Sequence, residues 1–249
     1  MRSEPKQLPL GMGWADAPDF DLYSPGDNNA ALAAVRAVAR GNGAPLLLHG
    51  GHGVGKSHLL QAAARAAHQA GRAAAYLPLS VYADSTPEVI DGFTHLHLIA
   101  LDECEAVWSR PDWAEALARL LDDQRSRGDN LLLASRTAPA ALWTADTLPD
   151  LRTRLTACAV FGLKPLSDAG RRDALQRRAH ARGLSLSDEV ADYLIRRLPR
   201  DLSSLMAVLS DLDKASLSAQ RRLTIPFVQQ HMPVVPDLAP TSARTGSEQ

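Results

Sequence analysis

The sequence predicts an α/β fold, a five-stranded parallel sheet with helices on both faces, followed by a small all-helical domain. Three observations predict it. Five short apolar runs alternate with helical stretches as far as residue 163. The first run leads into a glycine-rich loop and then a helix. From Ser167 onward the apolar spacing is helical throughout. Such alternation specifies parallel strands, because each return to the same edge of the sheet needs a crossover helix.

Met1 to Asp19 is rich in Pro and Gly, lacks periodicity and reads as a mobile arm. Gln7-Leu8-Pro9-Leu10 within it is a short apolar stretch of the kind that docks on a partner. Phe20 to Asn29 is a turn-rich lead-in, with Asn28 or Asn29 placed to cap a helix over Ala30–Arg40 that Gly41 ends. Pro45–His49 is apolar and suits a buried strand. Gly50-Gly51-His52-Gly53-Val54-Gly55-Lys56-Ser57 then reads G-x-x-x-x-G-K-S, the complete phosphate-binding loop. Its glycines let successive N–H groups turn toward phosphate oxygens, and the helix dipole adds positive potential at the same point. Lys56 would reach the β- and γ-phosphates, and the Ser57 hydroxyl would ligate Mg²⁺. The helix that follows runs to about Ala70 and stops at Gly71.

Ala73–Leu79 is the second strand, and Thr86-Pro87-Glu88 opens a helix. His95–Asp102 is a third apolar run, closed by Asp102 and Glu103. After a complete phosphate loop, an Asp at that strand tip is expected to hold Mg²⁺, and the neighbouring Glu to orient an attacking water. His95 and His97 would share one face of the strand, and without a third ligand they read as packed histidines. Asp112–Arg127 is an amphipathic helix closed by Gly128. Asn130–Ser135 is the fourth strand, with Ser135 and Arg136 at the tip that faces the phosphate loop. Arg152 and Arg154 follow the turn at Leu148-Pro149-Asp150; two positions apart on a helix, they point different ways. Cys158–Leu163 is the fifth strand. Ser167, Ser187, Asp201 and Thr224 then open four helices, and Val235–Gln249 is a Pro/Ser/Thr-rich tail of disordered composition.

Composition is that of a soluble globular protein, with 45% hydrophobic and 22% charged residues and a net charge of −1. The charge is unevenly spread. Residues 1–150 hold 12 Lys/Arg against 18 Asp/Glu, and residues 151–235 hold 14 against 8. A basic final third suits nucleic acid, an acidic protein surface or simply solvated helix faces. Cys104 and Cys158 have no metal or redox spacing, and no segment reads as a signal peptide or membrane span, so the expected place is the cytoplasm.

A phosphate-loop sheet followed by a helical lid resembles the AAA+ ATPases. Phe20–Ala30, Gly50–Leu60, Leu101-Asp102-Glu103, Leu148–Leu155 and Leu198–Leu202 are similar to the AAA+ module of the DnaA family. The Gln-Leu-Pro-Leu peptide and Ala219–Val228 are similar to the Hda family of DnaA-related regulators. The chain ends where DnaA would continue into its DNA-binding helices. The resemblance implies a nucleotide-binding regulator of replication initiation, with ADP or ATP and Mg²⁺ as cofactors. Such regulators dock on the DNA-loaded sliding clamp, stimulate hydrolysis of DnaA-bound ATP and prevent re-initiation. It implies DnaA and the polymerase III clamp as partners, DNA reached through the clamp, no membrane, and room for a homo-oligomer. By the same resemblance Arg154 is an arginine finger acting in trans. Arg200 is a lid arginine reaching the phosphates, and Gln7, Leu8 and Leu10 bind the clamp. One departure stands out: the DnaA strand tip usually reads Ser-Asp-Arg, and here it is Ser135-Arg136-Thr137. The missing acid bears on whether the chain turns over ATP itself. The second reading is an autonomous AAA+ ATPase or helicase loader acting on nucleic acid, which the missing acid disfavours.

Overall fold

The computed structural model describes residues 17–128, 130–138, 149–199, 201–219 and 221–232. Five strands lie in one parallel sheet: β1 (Leu46–His49), β2 (Ala74–Pro78), β3 (Leu98–Asp102), β4 (Asn130–Ser135) and β5 (Ala159–Gly162). Their order is β2-β3-β4-β1-β5. The tip of β4 therefore lies between the tips of β1 and β3.

Strand alternation decides which helix covers which face. Leu46, Leu48, Leu98, Ala100, Leu132 and Ala134 form one buried cluster with α1 (Asn29–Ala39) and α2 (Lys56–Gln69). Leu47, Ile99, Leu101, Leu131 and Leu133 form the opposite cluster with α3 (Pro111–Arg127) and α4 (Pro149–Thr156). Trp113 of α3 is fully buried in the second cluster. A Leu taken fully from water contributes roughly 1.5–3 kcal/mol, so these two layers dominate the stability of the sheet region. The central strands are buried throughout, whereas β5 is an edge strand with exposed residues.

Four further helices share a core of their own: α5 (Asp168–Ala181), α6 (Asp188–Arg197), α7 (Leu202–Ala219) and α8 (Ile225–His231). Ser167, Ser187 and Thr224 cap α5, α6 and α8 as expected, each accepting a backbone N–H from three residues on. Asp201 does the same for α7 through Ser204.

Several local expectations change. Asn28 precedes α1 but makes no capping bond. Its amide instead grips the backbone of Lys164, donating to the carbonyl at 2.9 Å and accepting the N–H at 2.8 Å. Pro87–Phe93 forms 3₁₀ turns rather than an α-helix. β3 starts at Leu98, so His95 and His97 lie before the strand, and the His97 ring accepts the N–H of Ala73. β5 starts after Cys158, which is held in the preceding turn. Gln7, Leu8, Leu10, Arg200 and the tail from Val235 lie outside the described residues.

Candidate phosphate-binding site

The chain leaves β1 at His49 and turns through Gly50–Gly55 into α2, which begins at Lys56. Glycine is required at two points of that turn. Gly50 has φ +153°, and a Cβ there would meet the carbonyl oxygen of Leu163 at 2.8 Å. Gly53 has φ +71°, and a Cβ would meet the Cβ of Asp201 at 2.9 Å. Gly51 faces open space. The Lys56 ammonium folds back over the loop, donating to the carbonyls of Gly50 at 2.7 Å and Gly51 at 2.9 Å. Burial lowers its pKa, partly offset by the negative charges of Asp102, Glu105 and Glu103. A desolvated ammonium beside glycine N–H groups at a helix N-terminus is built to take an anion.

Asp102 ends β3, buried at 1% exposure, on the sheet face that α2 covers. Its Oδ2 accepts the phenol of Tyr76 at 2.8 Å, and its Oδ1 accepts the N–H of Glu103 at 2.9 Å. Glu103 has φ +55°, which is left-handed and uncommon for a residue with a Cβ. Its carboxylate is bound by the Ser80 hydroxyl. Beyond Ser135, which bonds the first loop residue through Gly50 N–H at 3.3 Å, comes Arg136. Glu105 grips Arg136 twice, at its N–H and at Nε, both at 3.2 Å. A cation thus stands at the β4 tip.

The loop also touches the helical region, with His52 Nδ1 at 3.8 Å from Asp201 Oδ1. Ser24 donates to Asp173 of α5 at 2.9 Å and links the lead-in to the same region. Arg154 lies on α4, on the sheet face opposite α2. Asp122 of α3 holds its Nε at 2.8 Å and Nη2 at 2.7 Å, while its Nη1 donates to the Asp150 carbonyl at 3.1 Å. These bonds raise the guanidinium pKa and lower that of Asp122.

Residues 17–160, more than half of the chain, match the model of the bacterial DnaA ATPase domain. The chain belongs to the bacterial DnaA ATPase-domain family. Residues 168–232 match the lid domain of Hda, which makes it an Hda-like, DnaA-related AAA+ protein. Domain III of the Thermotoga maritima initiation protein DnaA superposes with a TM-score of 0.73 at 16% identity, covering 87% of this chain and 96% of that one. AMPPCP-bound DnaA from Aquifex aeolicus gives 0.68 at 19% identity, over 81% of this chain and 66% of that one. The Thermotoga maritima branch-migration motor RuvB gives 0.62 at 16% identity, over 86% and 72%. At these identities the likeness is one of fold.

Against that family background the DnaA-like site gathers the loop Gly50–Ser57, with His52 and Val54 in it, Asp102 at the end of β3 and Glu103 just beyond it. It does not gather Arg154, which its own acids hold elsewhere. Sequence reading missed Tyr76, Ser80 and Glu105. Tyr76 looked like one more apolar strand residue; only the β2–β3 pairing sets it beside Asp102. Among the described residues no cluster of three His, Cys, Asp or Glu side chains could hold a metal, and no helix is long and apolar enough to cross a membrane.

Proposed function

We propose that this chain is a nucleotide-binding regulator that, docked on the DNA-loaded sliding clamp, stimulates hydrolysis of ATP held by DnaA and so prevents re-initiation. ADP or ATP would lie on Gly50–Ser57, with Arg200 of the lid reaching its phosphates. The donors fit the group: a loop in which Gly50 and Gly53 leave room only for backbone, an ammonium turned onto it, and hard oxygens from Ser57 and Asp102 for Mg²⁺. When bound, Mg²⁺ would neutralise phosphate charge. Gln7, Leu8 and Leu10 would dock on the clamp, raising the local concentration of this protein near DnaA on DNA. We take 1–19 as the arm, 20–164 as the nucleotide-binding unit, 165–234 as the lid and 235–249 as the tail, in a cytoplasmic protein.

The observation that carries this reading is Arg154. It stands across the sheet from the chain's own phosphate loop, in the last turn of α4, with a side chain about one quarter exposed. A guanidinium there would serve a site whose phosphates belong to DnaA. It would exchange Asp122 and Asp150 for the oxygens of the transferred phosphoryl group and neutralise charge that develops only in the transition state. An arginine supplied in trans can contribute roughly 10³–10⁵ in rate. Turnover of the chain's own nucleotide would be slow, since Glu103 is engaged by Ser80 and the β4 tip carries Arg136.

The test is to load DnaA with labelled ATP, add this protein with clamp on nicked circular DNA, and follow the bound nucleotide. Conversion to ADP that needs both clamp and protein supports the reading. Conversion at the rate of DnaA alone would dismiss it.

A further inference from the structure

Parity along the strands brings one more residue to the site. In β3, Leu98, Ala100 and Asp102 face α2, and in the paired strand β2 the residues Ala74 and Tyr76 face the same way. Tyr76 is level with Ala100, so its side chain reaches one pleat further to Asp102. Both oxygens of that buried carboxylate are thereby spoken for by a single donor each, Tyr76 on Oδ2 and Glu103 N–H on Oδ1. Gln61 and Ser57 of α2 lie within hydrogen-bonding reach of the same phenol. The phenol thus donates to Asp102 and sits against Ser57, the other proposed oxygen ligand of Mg²⁺.

We propose that Tyr76 is a positioning residue for the metal site: its hydroxyl fixes the Asp102 carboxylate in the orientation that meets Mg²⁺ beside Ser57. This rests on the nucleotide–Mg²⁺ reading above. Without the hydroxyl, Asp102 keeps one donor, on Oδ1, and its Oδ2 is left buried and free to turn. Partners behind a metal ligand typically set roughly 10–100-fold in metal affinity. Tyr76 supplies one of two such bonds, so the low end of that range is expected.

Tyr76→Phe isolates the hydroxyl, because the ring and its packing against the core on the α2 side of the sheet are retained. ADP binding is measured by calorimetry in EDTA and at stepped Mg²⁺ concentrations, for the parent, Tyr76→Phe and Asp102→Asn, with melting curves of each free protein. The expected result for Tyr76→Phe is parental ADP affinity in EDTA with a half-saturating Mg²⁺ concentration raised about tenfold. Asp102→Asn should abolish the Mg²⁺ dependence. An unchanged half-saturating Mg²⁺ concentration in Tyr76→Phe would overturn the proposal. So would an equal loss of ADP affinity with and without Mg²⁺, the mark of a residue that only packs. A parent that binds no ADP at all would instead strike down the nucleotide reading, and this inference with it.

Discussion

Replacing Lys56 by Met removes one ammonium and keeps most of the apolar stem, which separates two effects that Ala would mix. In the free protein that ammonium makes two hydrogen bonds, to Gly50 and Gly51 carbonyls, at a half-buried position. Each is worth about 1 kcal/mol net, so the free mutant should lose about 1–2 kcal/mol. For a chain of this size that lowers Tm by roughly 2–8 °C, at about 2–4 °C per kcal/mol. The larger signal is in the ligand response. At 100 times its Kd, ADP stabilises the parent by about 2.7 kcal/mol, or roughly 5–11 °C. Lys56→Met should show no ADP-dependent shift at the same concentration. Differential scanning calorimetry with and without ADP and Mg²⁺ reads both quantities on one sample. An equal ADP shift in mutant and parent would refute the assignment of the loop, whatever happened to the free protein's Tm.

Two further predictions concern the ends of the site. Asn28→Ala should strand the Lys164 N–H and carbonyl, costing about 1–3 kcal/mol and lowering the unfolding midpoint in urea without abolishing ADP binding. A midpoint equal to the parent's would mean that water replaces the amide at no cost. Replacing Gln7, Leu8 and Leu10 together by Ala should abolish capture of the clamp and leave the ADP-induced rise in Tm intact. Parental clamp capture by that triple variant would end the docking role of the peptide.

Much of this was legible because it is local. A run of leucines, a glycine loop and a helix lie consecutively in the chain, and so do Ser167, Ser187 and Thr224 with the helices they cap. What escaped is long-range. Asn28 carries the composition of a cap, yet its amide is taken by a residue 136 positions away. Thr86-Pro87-Glu88 has a sound helix start, but the seven residues after Thr86 close as 3₁₀ turns. Tyr76 and Asp102 meet only once β2 and β3 pair, and Glu105 finds Arg136 across 31 positions. The pairing of Arg154 with Asp122 likewise depends on α3 packing against α4. Charges of opposite sign on two predicted helices do not announce which of them will meet.

That pairing bears on the central claim, since the same guanidinium that ties α4 to α3 is proposed to serve DnaA. The measurement that tests it most directly is single-turnover hydrolysis of DnaA-bound ATP on DNA-loaded clamp, with the parent, Arg154→Ala and Arg152→Ala. Each variant is first checked for clamp capture and for the ADP-induced rise in Tm, so that a folding or docking defect is not mistaken for a catalytic one. Arg154→Ala should bind both ligands and lose the stimulation, by about 10³-fold or to the rate of DnaA alone. Arg152→Ala should stay near the parental rate. A parental rate with Arg154→Ala would contradict the account, reducing Arg154 to a tie between two helices.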